Sequence, residues 1–205
     1  IWIMNGDGTG AQQLTPNDWA DYEPQVSPDG RFIVFTSERN GDRKIWRMNI
    51  DGSNPQILTQ INGRAFNPII TPDGKTIFFV WSKEDKRVLG SVPLAGGEIS
   101  EQPLITNSYM TFSPDGKQIA YNPRANFGEW RYYRGGATAP IYIADLQSGA
   151  VEKLPNQNYN DRFPMWVGDK IYTISDRTGI FNLFSIDRKT KQAKQLTNFD
   201  GQGIR

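Results

Sequence analysis

Cysteine and histidine are both absent from this chain of 205 residues. The first absence removes disulfides, thiol nucleophiles and thiolate metal sites. The second removes the imidazole, so a Ser-His-Asp triad, a histidine general base and an ordinary zinc site cannot be built from these residues. Carboxylate pairs and Ser-Lys chemistry remain open. An excess of charge is missing too: 23 Lys+Arg stand against 22 Asp+Glu, a formal net charge of +1. Nucleic-acid binders normally carry a clear basic excess, so nucleic acid is not an expected partner. Long apolar runs are missing as well. The longest, Ile77 to Trp81, falls far short of the roughly 20 residues of a membrane-spanning helix, and no membrane insertion is expected. The chain opens on Ile1-Trp2-Ile3-Met4, with no basic n-region and no small-residue cleavage site. A cysteine-free chain suits oxidising and reducing compartments equally.

What is present points to short strands. Hydrophobic residues at 37% and charged residues at 22% fit a soluble globular chain rather than a disordered one. Aromatics reach 12%, among 20 glycines and 13 prolines, which favours strands and turns over helices. The turn Ser27-Pro28-Asp29-Gly30 returns as Thr71-Pro72-Asp73-Gly74 and as Ser113-Pro114-Asp115-Gly116. A degenerate copy reads Val167-Gly168-Asp169-Lys170. Each leads into a short alternating strand: Ile33 and Phe35, Ile77 and Phe79, Ile119 and Tyr121, and Ile171. Two further landmarks keep the same phase. One runs Ile1-Trp2, Ile45-Trp46, Val88-Leu89, Ile141-Tyr142, Leu183-Phe184; the other Leu14-Thr15, Leu58-Thr59, Leu104-Ile105, Leu154-Pro155, Leu196-Thr197.

A period of 44 residues from Ile33 to Ile77, and of 42 from there to Ile119, is that of one four-stranded β-propeller blade. The fold class is therefore all-β: a β-propeller of four-stranded blades, with about five blades or as a fragment of a six- to seven-bladed ring. In the first full unit, strand A covers Pro24 to Val26, strand B Phe32 to Thr36, strand C Ile45 to Met48 and strand D Gln56 to Leu58. The units run over about 1–15, 16–59, 60–105, 106–155 and 156–197, with the start of a next one at 198–205, all within a single propeller domain or propeller fragment. The phase of the ends gives five C–D hairpins against four A–B hairpins. A piece of a larger propeller is expected, with further domains of the same parent chain.

Residues 1–121 resemble the TolB-like family through Ile45-Trp46-Arg47-Met48-Asn49-Ile50-Asp51-Gly52, its partial copy at Ile1 to Gly8, and the Pro-Asp-Gly turns. Such blades occur in a periplasmic translocation protein, in sensor regions of bacterial kinases and in several peptidases. The second half resembles the N-terminal propeller of tricorn-type serine peptidases. That likeness rests on Glu129 to Gly136, on Pro140-Ile141-Tyr142-Ile143, on Pro164-Met165-Trp166-Val167-Gly168-Asp169-Lys170-Ile171-Tyr172, and on Ser175-Asp176-Arg177 with Asn182-Leu183-Phe184. In that family the Ser and His of catalysis lie in a C-terminal region, and the propeller channel is thought to filter or guide peptides. The resemblance implies a non-catalytic module of a larger tricorn-like peptidase, guiding or docking a peptide or protein ligand. The alternative is a TolB-like interaction or sensor propeller of a periplasmic or signalling protein. The TolB likeness favours the bacterial periplasm over the cytoplasm.

Several constellations compete for a functional role. Asp29, Asp73 and Asp115 form a repeated set, but Pro-Asp-Gly needs an aspartate for the turn itself. Asn5-Gly6-Asp7-Gly8-Thr9-Gly10 resembles the start of a calcium loop, yet its twelfth-position acid is replaced by Pro16. No metal and no cofactor is expected. Ser37-Glu38-Arg39 and Ser175-Asp176-Arg177 occupy equivalent B–C turns, where acid and Arg are expected to satisfy backbone groups or each other. Asp21 and Asp161 each precede a strand A proline by three residues and are candidates for a channel rim. The best candidate is the insertion in the 106–155 unit. Its Trp130, Arg131, Tyr132, Tyr133 and Arg134 interleave aromatics with guanidinium groups, which suits a peptide carboxylate flanked by stacked side chains.

Overall fold

In a computed structural model, the described residues are all but 17, 85, 105–108, 124–137, 202 and 205. Every regular element among them is a strand. The chain divides into two compact units, Ile1–Pro103 and Leu104–Arg205.

The first unit begins with a two-stranded sheet, β1 (Trp2–Ile3) and β2 (Gln12–Gln13). A four-stranded sheet follows in chain order: β3 (Asp21–Val26), β4 (Phe32–Ser37), β5 (Lys44–Asn49) and β6 (Gln56–Ile57). The second repeats it with β7 (Arg64–Ile70), β8 (Thr76–Lys83), β9 (Lys86–Pro93) and β10 (Ser100–Gln102). The second unit holds β11 (Met110–Phe112), β12 (Gln118–Tyr121), β13 (Tyr142–Asp145) and β14 (Val151–Lys153) as one sheet. Its other sheet is β15 (Asp161–Val167), β16 (Lys170–Ser175), β17 (Asn182–Asp187) and β18 (Ala193–Gln195). All pairings are antiparallel. Of the two expectations, about five blades or a fragment of a larger ring, the first is corrected: the described residues form four complete blades and one two-stranded piece. The fifth C–D hairpin is present, but among the described residues it has no A and B strands to pair with.

Turn chemistry fixes the A–B corners. In the first blade Ser27 Oγ donates to Asp29 Oδ1 at 2.5 Å, and the same oxygen accepts the Arg31 N–H at 3.1 Å. Ser27 Oγ in turn accepts the Phe32 N–H at 3.0 Å, and Gly30 closes the turn at φ +71°. Thr71 with Asp73, and Ser113 with Asp115, repeat this network. The fourth corner is tighter, because Val167 pairs directly with Lys170 across Gly168-Asp169. The three Pro-Asp-Gly aspartates are held by their own turns.

Strand β4 is buried on both faces, where its sequence reads as a simple alternation. In β4, Ile33, Val34, Phe35, Thr36 and Ser37 are all buried. The reason is that this sheet packs a neighbour on either side, the two-stranded sheet on one and β7–β10 on the other. Ile33 and Phe35 join Leu14, Trp46 and Met48, with Ile1 and Ile3 of the two-stranded sheet packed against them. Val34 turns the other way, into a cluster with Ile45, Leu58, Ala65, Ile77 and Phe79. In the second unit Ala120, Ile143 and Leu154 meet Ile171 and Ile186. Burying one such side chain contributes about 1.5–3 kcal/mol, so these seams dominate cohesion within each unit. Packing is close enough to demand glycine at position 90, where a Cβ would lie 2.6 Å from the Phe79 ring.

Candidate functional site

The leading strand of each sheet carries the polar groups of interest. Within the units, β3 lies against β7 and β11 against β15. Three of these strands break their own ladder at the same place. On β3 the register passes from Tyr22↔Thr36 to Gln25↔Val34, so Glu23 and Pro24 face the single residue Phe35. On β7 the extra pair is Asn67-Pro68, and on β15 it is Phe163-Pro164. Proline has no N–H to give to a ladder, so a bulge is where a strand tolerates it. The residue before each proline is driven left-handed, with φ of +56° at Glu23, +52° at Asn67 and +53° at Phe163. For non-glycine residues that conformation costs roughly 1–2 kcal/mol, and something must hold it.

In the first unit the neighbouring bulges hold each other. Glu23 Oε2 accepts the Asn67 N–H at 2.6 Å and the Thr36 hydroxyl at 2.8 Å. With its amide nitrogen turned toward the carboxylate, the Asn67 side chain donates to Glu23 as well. In the second unit, Phe163 packs edge-to-face on Tyr109 with centroids 4.6 Å apart and planes at 61°.

At the start of the leading strands sit Asp21 and Asp161, and each is clasped by an arginine from the B–C turn. Arg39 Nη2 lies 3.1 and 3.2 Å from the two Asp21 oxygens while its Nε donates to Ser37 Oγ at 2.9 Å. Arg177 reaches Asp161 at 2.8 Å and Ser175 Oγ at 3.0 Å. The carboxylates are only 3% and 2% exposed, the arginines 14% each. Both guanidinium groups also sit over rings: Phe35 and Trp46 for Arg39, Tyr159 and Phe184 for Arg177. Burial works to raise the Asp21 pKa, but hydrogen bonds from Ser37, Arg39 and Thr15, with the Arg39 charge, hold it below the usual carboxylate value. The turn's own acids take other partners: Glu38 accepts from Arg43 Nε at 2.9 Å, and Asp176 accepts both the N–H and the amide of Asn160. Of the two expected roles, Asp176 takes the first by accepting a backbone N–H, whereas the arginines pair not with their own turn's acid but with strand A.

The sequence-derived candidates separate cleanly. Trp130, Arg131, Tyr132, Tyr133 and Arg134 lie outside the described residues. Asp21 and Asp161 are described, and their oxygens are engaged by arginines of the chain itself. Glu23, Asn67, Tyr109 and Phe163 were not singled out from sequence, although Pro24 and Pro68, each four residues before a turn proline, signal a break in strand A. No group of three or more His, Cys, Asp or Glu residues arranged to hold a metal ion occurs among the described residues.

Comparison with known proteins gives a consistent family. The chain matches the family described as the tricorn protease N-terminal beta propeller domain over residues 1–205. It is 34% identical over 70 residues to a tricorn protease homolog of Saccharolobus solfataricus, covering 34% of this chain and 7% of that protein. It is 24% identical to tricorn protease homolog 1 of Streptomyces coelicolor over 98% of this chain and 19% of the relative. Among solved structures, TolB of Acinetobacter baumannii superposes with a TM-score of 0.77 at 19% identity, over 98% of this chain and 50% of that one. The tricorn protease crystal structure gives 0.52 at 19% identity, over 90% and 23%. The chain thus spans 7% to 19% of these curated relatives. It belongs to the family of tricorn protease N-terminal β-propeller domains.

Proposed function

We propose that this chain is a non-catalytic propeller module of a larger tricorn-like peptidase, which guides or docks peptides or proteins for chemistry performed elsewhere in the parent protein. The observation that carries the reading is family membership across the whole chain, in a sequence without a single histidine or cysteine. The clasps add support. Asp21 and Asp161, the carboxylates best placed on the leading strands, serve Arg39 and Arg177 and act as supports for strand ends. Ligand contact is assigned to residues 130–134, on their chemistry: two guanidinium groups to grip a carboxylate, and aromatic rings to stack beside it.

The test is calorimetry of acidic and C-terminally free peptides against the chain and its Arg131→Ala/Arg134→Ala variant. Loss of one charge-assisted contact costs about 1.5–3 kcal/mol, so affinity should fall roughly ten- to hundredfold. Unchanged affinity in a folded variant removes the assignment. A fluorogenic peptide panel gives the companion result: background rates are expected, and turnover that survives repurification and vanishes on one substitution overturns the non-catalytic reading.

A further inference from the structure

The connection from β12 to β13 runs through residues 122–141, where 38–43 suffice between β4 and β5. Its described ends are both fastened to the start of β15. At the incoming end, Asn122 Nδ2 donates to the Asp161 carbonyl at 2.8 Å and to the Pro140 carbonyl at 3.0 Å. At the outgoing end, the Ala139 carbonyl accepts the Asp161 N–H at 2.9 Å, and the Ala139 N–H donates to Asn160 Oδ1 at 3.3 Å. Asn160 is held in turn by Asp176, whose two oxygens accept its N–H and its Nδ2, each at 2.9 Å. Asn122, Asn160 and Asp176 are all buried, at 2%, 0% and 0% exposed. Arg162 on β15 supplies a nearby charge: burial works to lower its pKa, and the Asp176 carboxylate works to raise it.

The first unit shows which of these bonds belong to the blade plan. Counted from the Pro-Asp-Gly turns, Phe35↔Trp46 and Tyr121↔Tyr142 are equivalent pairs, so Arg43 stands where Ala139 does. The bond between Asp161 and Ala139 recurs there as Ala65 N–H to the Arg43 carbonyl. The bond from Asp176 N–H to the Asn160 carbonyl recurs as Glu38 to Ala20. The side-chain bonds do not recur. Ala20 has no amide to offer, and Glu38 is 38% exposed and paired with Arg43. The amide–carboxylate pair is thus an addition to the blade plan, made where the long connection lands. Fully satisfied buried polar networks of this kind fix a single local geometry.

We propose that Asn122, Asn160 and Asp176 are positioning residues for ligand binding. They fix both ends of the stretch that carries Arg131 and Arg134, so peptide affinity depends on them although none of the three touches the ligand. This rests on the reading that residues 130–134 contact the ligand. Ordering two long side chains before the ligand arrives removes that cost from binding.

The experiment exchanges the pair. Asn160→Asp removes the Nδ2 donor and sets two carboxylates against each other. The double variant Asn160→Asp/Asp176→Asn lets carboxylate and amide trade places, restores these bonds and keeps the pair's charge. Glu23→Ala, which strands hydrogen-bonding groups in the first unit, is the control for destabilisation alone. Two readouts are taken on the whole chain: calorimetric affinity for acidic and C-terminally free peptides, and NMR amide shifts of residues 124–137. The single variant is expected to bind roughly tenfold more weakly and to displace those shifts. The double variant should recover most of both, and Glu23→Ala should change neither. A folded single variant with unchanged affinity overturns the proposal, as does a folded double variant without rescue, or an equal loss in Glu23→Ala. If the unsubstituted chain binds no peptide, the ligand reading fails by itself. The hold on 124–137 is then decided by the shifts: displacement and return support it, and changes confined to the surroundings of 160 and 176 overturn it. If the single variant does not fold, Asn122→Ala takes its place, with weaker binding and displaced shifts in support and unchanged values against.

Discussion

The two units are built to one plan and finished with different chemistry. Each contains a buried Asp–Arg–Ser clasp, Asp21–Arg39–Ser37 in Ile1–Pro103 and Asp161–Arg177–Ser175 in Leu104–Arg205. Each also brings two leading strands together at the bulge position. There the likeness stops: the first unit joins carboxylate to amide through Glu23 and Asn67, the second joins ring to ring through Tyr109 and Phe163. Net charge diverges as well, with 13 acidic and 10 basic residues in the first unit against 9 and 13 in the second. The backbone plan thus repeats a clasp and a contact between neighbouring leading strands, but leaves open which atoms make the contact. Chemistry that the scaffold does not dictate is where a docking surface can acquire selectivity.

The clasps provide the largest test of that likeness. Removing one partner of a buried ion pair leaves the other charge uncompensated, at a cost of about 3–5 kcal/mol. Arg39→Ala and Arg177→Ala should therefore each cost about 3 kcal/mol or more in urea denaturation, each also losing contact with two aromatic rings. If one variant is severely destabilised and the other is not, the clasps are not equivalent. Removing both members, as in Asp21→Ala/Arg39→Ala, should cost less than Arg39→Ala alone.

Much of the plan was legible in the sequence because it rests on local chemistry. Pro-Asp-Gly fixes a turn within four residues, and the 44-residue spacing then places each strand. The predicted strand B, Phe32 to Thr36, differs from β4 by one residue. The clasp was half legible. Ser37-Glu38-Arg39 stood out as a repeated turn, but the partner of Arg39 lies 18 residues away, across the A–B hairpin. Sequence spacing offered only backbone groups or the adjacent acid, and tertiary pairing chose Asp21. The bulge contacts were illegible for a stronger reason. Glu23 and Asn67 meet only once two sheets have packed, 44 residues apart, and one partner is a backbone N–H that no motif announces.

The bulges give the next effect, and one that should differ between the units. Glu23→Ala strands the Asn67 N–H and the Thr36 hydroxyl in a partly buried site, at about 1–3 kcal/mol for an unsatisfied group. Phe163→Asn should be milder. It loses an aromatic contact of about 0.5–1.5 kcal/mol, but Asn adopts φ > 0 more readily than Phe and already does so at the equivalent Asn67. Thermal melts should therefore rank Glu23→Ala below Phe163→Asn. The reverse order would mean that the ring pair, not the carboxylate, is the tighter bulge contact.

The smallest effect is one that both units should share, because it comes from repeated turns. Asp29, Asp73 and Asp115 are held below the ordinary carboxylate pKa, first by the hydroxyls of Ser27, Thr71 and Ser113 and then by the N–H groups of Arg31, Lys75 and Lys117. Asp51 in the first unit is lowered first by the Ser53 hydroxyl, and Asp145 and Asp187 in the second first by the N–H groups of Ser148 and Thr190. A carboxylate whose folded pKa is depressed stabilises the fold above the unfolded value, and that contribution is lost as pH falls through the folded one. Denaturation midpoints should accordingly be flat between about pH 5 and 7, begin to drop near pH 4, and continue down below it. These side chains are exposed, so each contributes little and the descent is the sum of many. Replacing Asp29, Asp73 and Asp115 together by Asn should lower stability slightly at pH 7 and make the acid descent shallower. An unaltered descent in that triple variant would shift the acid sensitivity to Asp21, whose pKa is lowered within a buried clasp that the Pro-Asp-Gly turns do not supply.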